Sequence, residues 1–266
     1  MHVLGFEADQ LLARYQTRIR ARADSLLLSL EGRLDRIMQG WLLVAGLACA
    51  ARIAFSPRIA AIGIDAVLPY ILLILAPFAS IVLALRWFAD GDRQPQPAFR
   101  FALVGRWRSV DRSEAQQHPL YGASGIMVSL LVGILLNVPV RALEYLAAMP
   151  AITGPVPAWL SVLHTMMTLD VVLMSSLYAI AFVAALRHAP LFPRLLVAIW
   201  CLDLTMQLAT AELVAGTPGL PPAVADALHG LLGGNAKKVL ISVAIWLPYL
   251  LLSKRVNLTY RHRLPR

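Results

Sequence analysis

Six charged or strongly polar residues stand inside otherwise apolar runs: Asn137, Arg141, Glu144, Asp170, Asp203 and Glu212. In lipid each is costly unless paired, so their position alone makes them candidates for helix-locking ion pairs or for stops on a proton path. Counting about 1.5 Å per residue from the short Arg187 to Arg194 turn puts Asp203 roughly 14 Å and Asp170 roughly 25 Å up their helices. That separation speaks against a carboxylate dyad sharing one proton. Tyr178 comes level with Asp203 and Thr210 with Asp170, which offers each acid a hydroxyl on the neighbouring helix. Arg141 and Glu212 come to similar heights, and an ion pair between them is expected to join their two helices.

Other chemistry is thin. The chain has no HExxH, no GxxxxGK[ST], no GxSxG and no pair of histidines at i, i+4, so neither a metal nor a cofactor is expected. His164 continues in a stripe with Ser161, Thr168 and Ser175 and reads as a hydrogen-bonded structural histidine. Met166, Met167 and Met174, around Asp170, read as fillers of core gaps. Cys49 and Cys201 both lie in apolar runs without paired spacing, which indicates neither a disulfide framework nor a metal site.

The elements that position these residues are membrane spans. Of 266 residues, 59% are apolar and only 15% charged, and mean hydropathy is +0.67, which excludes an ordinary soluble domain. The net charge of +9 is what positive loops on the cytoplasmic side produce, so it is not a sign of nucleic acid. The expected fold is all-α: a polytopic membrane protein of about six transmembrane helices with an amphipathic cytoplasmic helix at its start.

The central span, Tyr121 to Pro150, organises this reading. Its small stripe of Gly125, Ser129 and Gly133 predicts close approach of another helix backbone, and Pro139 predicts a kink beside Asn137, Arg141 and Glu144. Residues 1–38 form the amphipathic cytoplasmic segment, with Arg14, Arg18 and Arg22 at helical spacing and Leu26, Leu30, Leu34 and Ile37 on an apolar stripe. They have no early apolar core of the kind a cleaved signal peptide needs. Residues 39–86 make a two-span extension, Gly40 to Phe55 and Ile59 to Leu85. The first supplies only about 16 residues where roughly 20 are expected, and Ser56-Pro57 reads as the cap that opens the second. Residues 87–120 are a basic cytoplasmic loop whose Arg100, Arg106 and Arg108 alternate with Phe99, Phe101 and Trp107. Residues 121–260 hold four spans, the last three being Pro157 to Leu186, Leu195 to Leu213 and Val239 to Leu252, with a small surface helix between Ala215 and Ala236. Residues 261–266 are a basic cytoplasmic tail.

Orientation follows from the cations. With both termini cytoplasmic, the outer segments hold Arg52, Arg58, Arg141, Lys237 and Lys238, and the inner segments hold the other 19 of the 24. Anionic lipid headgroups are the expected partners of the inner basic segments, and a membrane-protein partner or a second copy is compatible with the small-residue stripe.

The ending AIWLPYLLLSKRVNLTY resembles the closing signature of a bacterial inner-membrane family, domain of unknown function 2569, at Trp246, Pro248, Tyr249, Ser253, Lys254, Arg255 and Val256. The resemblance implies a four-span unit over about 121–260 in the bacterial inner membrane, and no catalytic residue. GASG at Gly122 to Gly125 resembles the serine motif of rhomboid intramembrane proteases, which implies Ser124 as nucleophile and His229 as its partner. His229 lies in a Pro/Gly-rich stretch, and no further histidine and asparagine cluster accompanies Ser124. A non-enzymatic accessory or scaffold component is therefore the expected function. A small proton-coupled transporter using Asp170 and Asp203 is the alternative, and proteolysis a remote one.

Overall fold

The computed structural model describes residues 32–56, 63–98 and 105–266, together with Ser25, Ser29 and Leu30. The arginine stripe at Arg14, Arg18 and Arg22, Leu26, Pro57 to Ile59, and Phe99 to Phe101 lie outside the described residues.

Six helices are long and apolar enough to cross a membrane: α1 Leu34–Ala54, α2 Ile64–Trp87, α4 Ile126–Ala148, α5 Ala158–Leu186, α6 Phe192–Ala215 and α7 Pro222–Leu252. Between and after them come the short helices α3 Arg112–Gln117 and α8 Lys254–Arg261 and the strands β1 Trp107–Ser109 and β2 Arg263–Pro265. The protein is an all-α, multi-pass bundle, as its composition requires.

Two boundaries differ from the sequence reading, each for a physical reason. The first span starts at Leu34, because Asp35 in the first turn and Arg52 in the last complement the helix dipole and carry the helix to 21 residues. The surface helix expected within 215–236 does not form separately. It is the outer part of α7, which runs unbroken for 31 residues from Pro222, because Gly230, Gly233 and Gly234 weaken a helix without breaking it and no proline interrupts between Pro222 and Pro248.

The central position belongs to α5 and not to the span after Tyr121. Its last eight residues, AIAFVAAL, include four alanines, which let neighbours approach, so α2, α4 and α6 all pack on α5, and Ala179 and Ala181 to Ala185 are fully buried. Prolines 69, 77, 139 and 248 are accommodated within helices. One residue beyond the carbonyl that Pro77 leaves without a donor, Trp41 Nε1 donates to Ile74 O at 3.0 Å and ties α1 to α2. The N-cap of α2 is Gly63, and the Ser56 hydroxyl donates to Arg52 O and accepts from Ala151 N at 2.9 Å, joining the α1 end to the α4–α5 loop.

At the opposite end the basic loop and the C-terminal residues build a cap. β1 and β2 pair antiparallel with Arg108 opposite Leu264, and α8 lies under the α5–α6 turn, where Tyr260 OH donates to Ala185 O at 2.9 Å. Ser253 ends α7 and caps α8 by accepting from Val256 N, so these two residues set the angle of α8. Asn257 and Arg261 then satisfy carbonyls at the end of α7, with Asn257 Nδ2 donating to Leu251 O and Arg261 Nη1 to Leu250 O. The short turn Gly91–Arg93 packs on the same end, and Gly91 is required there because a Cβ would lie 2.5 Å from Arg187 O.

Candidate functional site

Arg141, two turns before the end of α4, carries the centre of the site. Its Nη1 donates to Asp170 Oδ2 on α5 at 3.0 Å, its Nη2 donates to Asp203 Oδ2 on α6, and its Nε donates to Asn137 Oδ1 one turn back at 3.3 Å. One guanidinium therefore joins three helices. Its planar fork suits the task, since two amino groups can each take a separate carboxylate.

Asp203 has no solvent exposure and is saturated by donors. Besides Arg141, it accepts from Tyr178 OH at 3.1 Å and from Gln207 Nε2 at 3.3 Å. The Tyr178 ring also lies under the guanidinium, 5.7 Å from Cζ to centroid, and adds a cation–π contact. Asp170 is less fully served: its buried Oδ1 has no hydrogen-bond partner among the described residues.

Beside this network a crevice of about 170 Å³ lies between α4 and α7. Asn137, Arg141 and Glu144 line one wall, Asn235, Lys238 and Ser242 the other, and Tyr178 and Asp203 the floor. Lys238 pairs with Glu144 across its mouth and also reaches Asn235 Oδ1 at 3.2 Å.

Several expected placements are corrected. Arg141 does not pair with Glu212, which is exposed on α6 and makes no ion pair among the described residues. The two aspartates are not separated stops, because both meet the same guanidinium. A vertical count overstated the height of Asp170, since α5 at 29 residues is roughly 43 Å long, more than an upright crossing of a hydrocarbon layer of about 30 Å needs. Thr210 does not serve Asp170. It donates to Met206 O on its own helix.

The stripe of Gly125, Ser129 and Gly133 is not a packing face. Gly125 precedes α4 at φ 66°, Ser129 and Gly133 are exposed, and a Cβ on either glycine would meet nothing within 4 Å. The face that packs is Met127, Leu130, Leu131, Ile134, Val138 and Ala142, whose larger side chains fill the space against the small residues of α5. Gly133 lines the crevice instead.

His164 does find a structural partner, Tyr145 OH at 3.5 Å, and the same hydroxyl lies 2.8 Å from Thr168 Oγ1. No group of three or more His, Cys, Asp or Glu side chains among the described residues has metal-binding geometry. Ser124 sits at the cap end of α4, whereas His229 is 24 residues before Ser253 on α7 and so roughly 35 Å away along the bundle. The serine and histidine expected from the GASG resemblance do not meet.

Four members of the site are not legible as such in the sequence: Gln207, Asn235, Lys238 and Ser242. Gln207 is uncharged and its only sequence signal is its place one turn beyond Asp203 on the same face, and Ser242 is a small polar residue inside an apolar run. Asn235 and Lys238 were assigned to a loop, and an unbroken α7 would have placed both inside a span. No family model, curated protein or solved structure matches the chain.

Proposed function

We propose that this is a non-enzymatic accessory or scaffold component of the bacterial inner membrane, with both termini cytoplasmic and anionic lipid at its basic cap. The observation that carries the reading is the saturation of Asp203. A fully buried carboxylate that accepts from Arg141, Tyr178 and Gln207 is built as a fixed lock between α4, α5 and α6. Of the 31 residues of α7, only Leu232, Val239 and Leu250 are buried, which leaves a long face for a membrane-protein partner or a second copy. The reading of α4 to α7 as a four-span unit similar to domain of unknown function 2569 rests on the sequence resemblance at Trp246, Pro248, Tyr249 and Ser253 to Val256.

The second reading is a small proton-coupled transporter, favoured by the polar crevice that reaches Asp203. The two separate on one experiment with purified full-length protein. A scaffold gives no proton flux in liposomes, and Asp170→Asn and Asp203→Asn each retain whatever partner co-purifies with the parent in mild detergent. A flux carried by the parent and abolished in either folded Asn variant would replace the scaffold with the transporter.

A further inference from the structure

A second cavity, of about 300 Å³, lies between α1, α2 and α4. Val44 and Leu136 on its walls are exposed, so it is a groove open sideways, towards lipid in a span. Its lining is apolar throughout, and the one polar side-chain atom there, Trp41 Nε1, already donates to Ile74 O. The space exists because Gly40 brings no side chain to it, and a Cβ there would meet nothing within 4 Å. Pro77 of α2 and Pro139 of α4 line the other walls.

The groove has a definite depth. Ile37 to Val44 of α1, Pro77 and Ile81 of α2, and Leu135 to Pro139 of α4 all stand about 4 to 20 Å from the cap ends of their helices. In a hydrocarbon layer of about 30 Å, that is the leaflet on the cap side. The cap-side mouth is basic. Ile37 N donates to Arg33 O at 2.9 Å, so Arg33 stands one turn closer to the cap than Ile37, and Arg36 stands one turn closer than Gly40. Residues four apart share a helix face, which puts both arginines in line with the groove, whereas Asp35, two positions from Arg33, does not face it. Both arginines are exposed, and neither makes an ion pair among the described residues.

We infer that this groove seats one acyl chain of an anionic phospholipid whose phosphate pairs with Arg33 and Arg36. An apolar groove alone does not select among lipids, since every tail is as apolar as leucine, so the selection comes from the guanidinium groups at its mouth. A helix from a second copy is about 10 Å across with its side chains, too wide for this volume, whereas an extended acyl chain is one methylene wide. The inference rests on the reading of anionic lipid at the cap and gives one such lipid a defined seat.

The test is photolabelling of the full chain in phosphatidylcholine nanodiscs, using trace phosphatidylglycerol or phosphatidylcholine that carries a diazirine midway along one chain. Groove residues of α1 and α4 should be labelled by the phosphatidylglycerol probe about tenfold more than by the phosphatidylcholine probe, since each basic residue near the surface favours an anionic lipid roughly fivefold. Arg33→Gln with Arg36→Gln should bring the two probes level. Gly40→Leu fills the groove at a site where nothing clashes and where leucine favours the helix, so it should remove the groove labelling from a folded protein. Equal labelling of the wild-type groove by the two probes overturns the inference. So does labelling spread evenly over the exposed faces of α6 and α7, which is annular lipid only, or crosslinks from the groove to a second copy. A diazirine on the phosphatidylglycerol headgroup reports the cap separately. Cap labelling at Arg106 and Arg108 without groove labelling keeps the general reading and removes the seat, and groove labelling without cap labelling does the reverse.

Discussion

A carboxylate without solvent contact inside an apolar helix persists only when its lone pairs are taken by donors, and Asp203 meets that condition with three. Removing one member of such a network strands the others. Arg141→Ala leaves two carboxylates without their cation and should cost about 3 to 5 kcal/mol, read as a lower midpoint in thermal or detergent unfolding. Asp203→Asn keeps the shape and leaves Arg141 neutralised by Asp170, so its loss should be clearly smaller than that of Asp203→Ala. Glu212→Gln should be silent. Equal midpoints for wild type and Arg141→Ala would show that the three-helix clamp does not hold the fold. At this scale the sequence revealed which residues are anomalous and one true contact, Tyr178 with Asp203, because those two lie on adjacent antiparallel helices joined by a short turn. It could not reveal that Arg141 reaches both acids, since helical counting fixes backbone height and ignores the length of an arginine and the tilt of α5.

The helices were legible wherever an apolar run ended at a clear breaker, and misread where glycines stood in for one. In the stretch before Asn235, Gly230, Gly233 and Gly234 suggested a loop, yet in an unbroken helix they simply leave α7 slim on its exposed side. The same residue type misled on α4. Small side chains mark close packing only when something approaches them, and here the bulky face packs. Leu131, fully buried against the α5 core, should lose about 2 to 5 kcal/mol on substitution by alanine. Gly133→Leu, at the crevice, should leave folded yield nearly unchanged. A reversal of that order would restore the small-residue stripe as the packing face.

The cap carries a separate element-scale consequence. His188, in the α5–α6 turn at φ 54°, is held between Tyr121, with ring centroids 5.4 Å apart, and Tyr260 at 6.4 Å. Burial holds its imidazole below the usual histidine range, partly offset by Asp92, and His262, at φ 48°, is lowered by burial and by Arg112. Both therefore bind fewer protons folded than unfolded. Their contribution to stability is complete above the ordinary histidine value of 6.5 and is lost as pH falls below it. Tail accessibility to a carboxypeptidase should rise as pH falls below about 6.5 and stay level above it. Asn tolerates positive φ, so His188→Asn with His262→Asn should flatten the profile while keeping the turn. An unchanged profile in that double variant would assign the pH response elsewhere.

For the molecule as a whole, the geometry and the charge count bear on one topology. Six antiparallel crossings place the α1–α2 connection, the α4–α5 loop and the α6–α7 turn at one end, tied there by Ser56 to Ala151 and Arg52 to Met149. The other end collects β1, β2, α3, α8 and the α5–α6 turn, and with them Arg93, Arg106, Arg108, Arg112, Lys254 and Arg263. Arginines so grouped favour the side from which translocation does not occur. Because β2 pairs with β1, a reporter fused after Arg266 must lie on the same side as one in the loop before β1. The turn available at the opposite end is short, Thr217 to Leu220, since α7 begins at Pro222. Reporter fusions after Arg266 and within Thr217 to Leu220 should therefore give opposite signals, with the first cytoplasmic. Two matching signals would mean an even number of crossings between those points, and with α7 the only described helix long enough to cross there, would leave that helix lying outside the membrane.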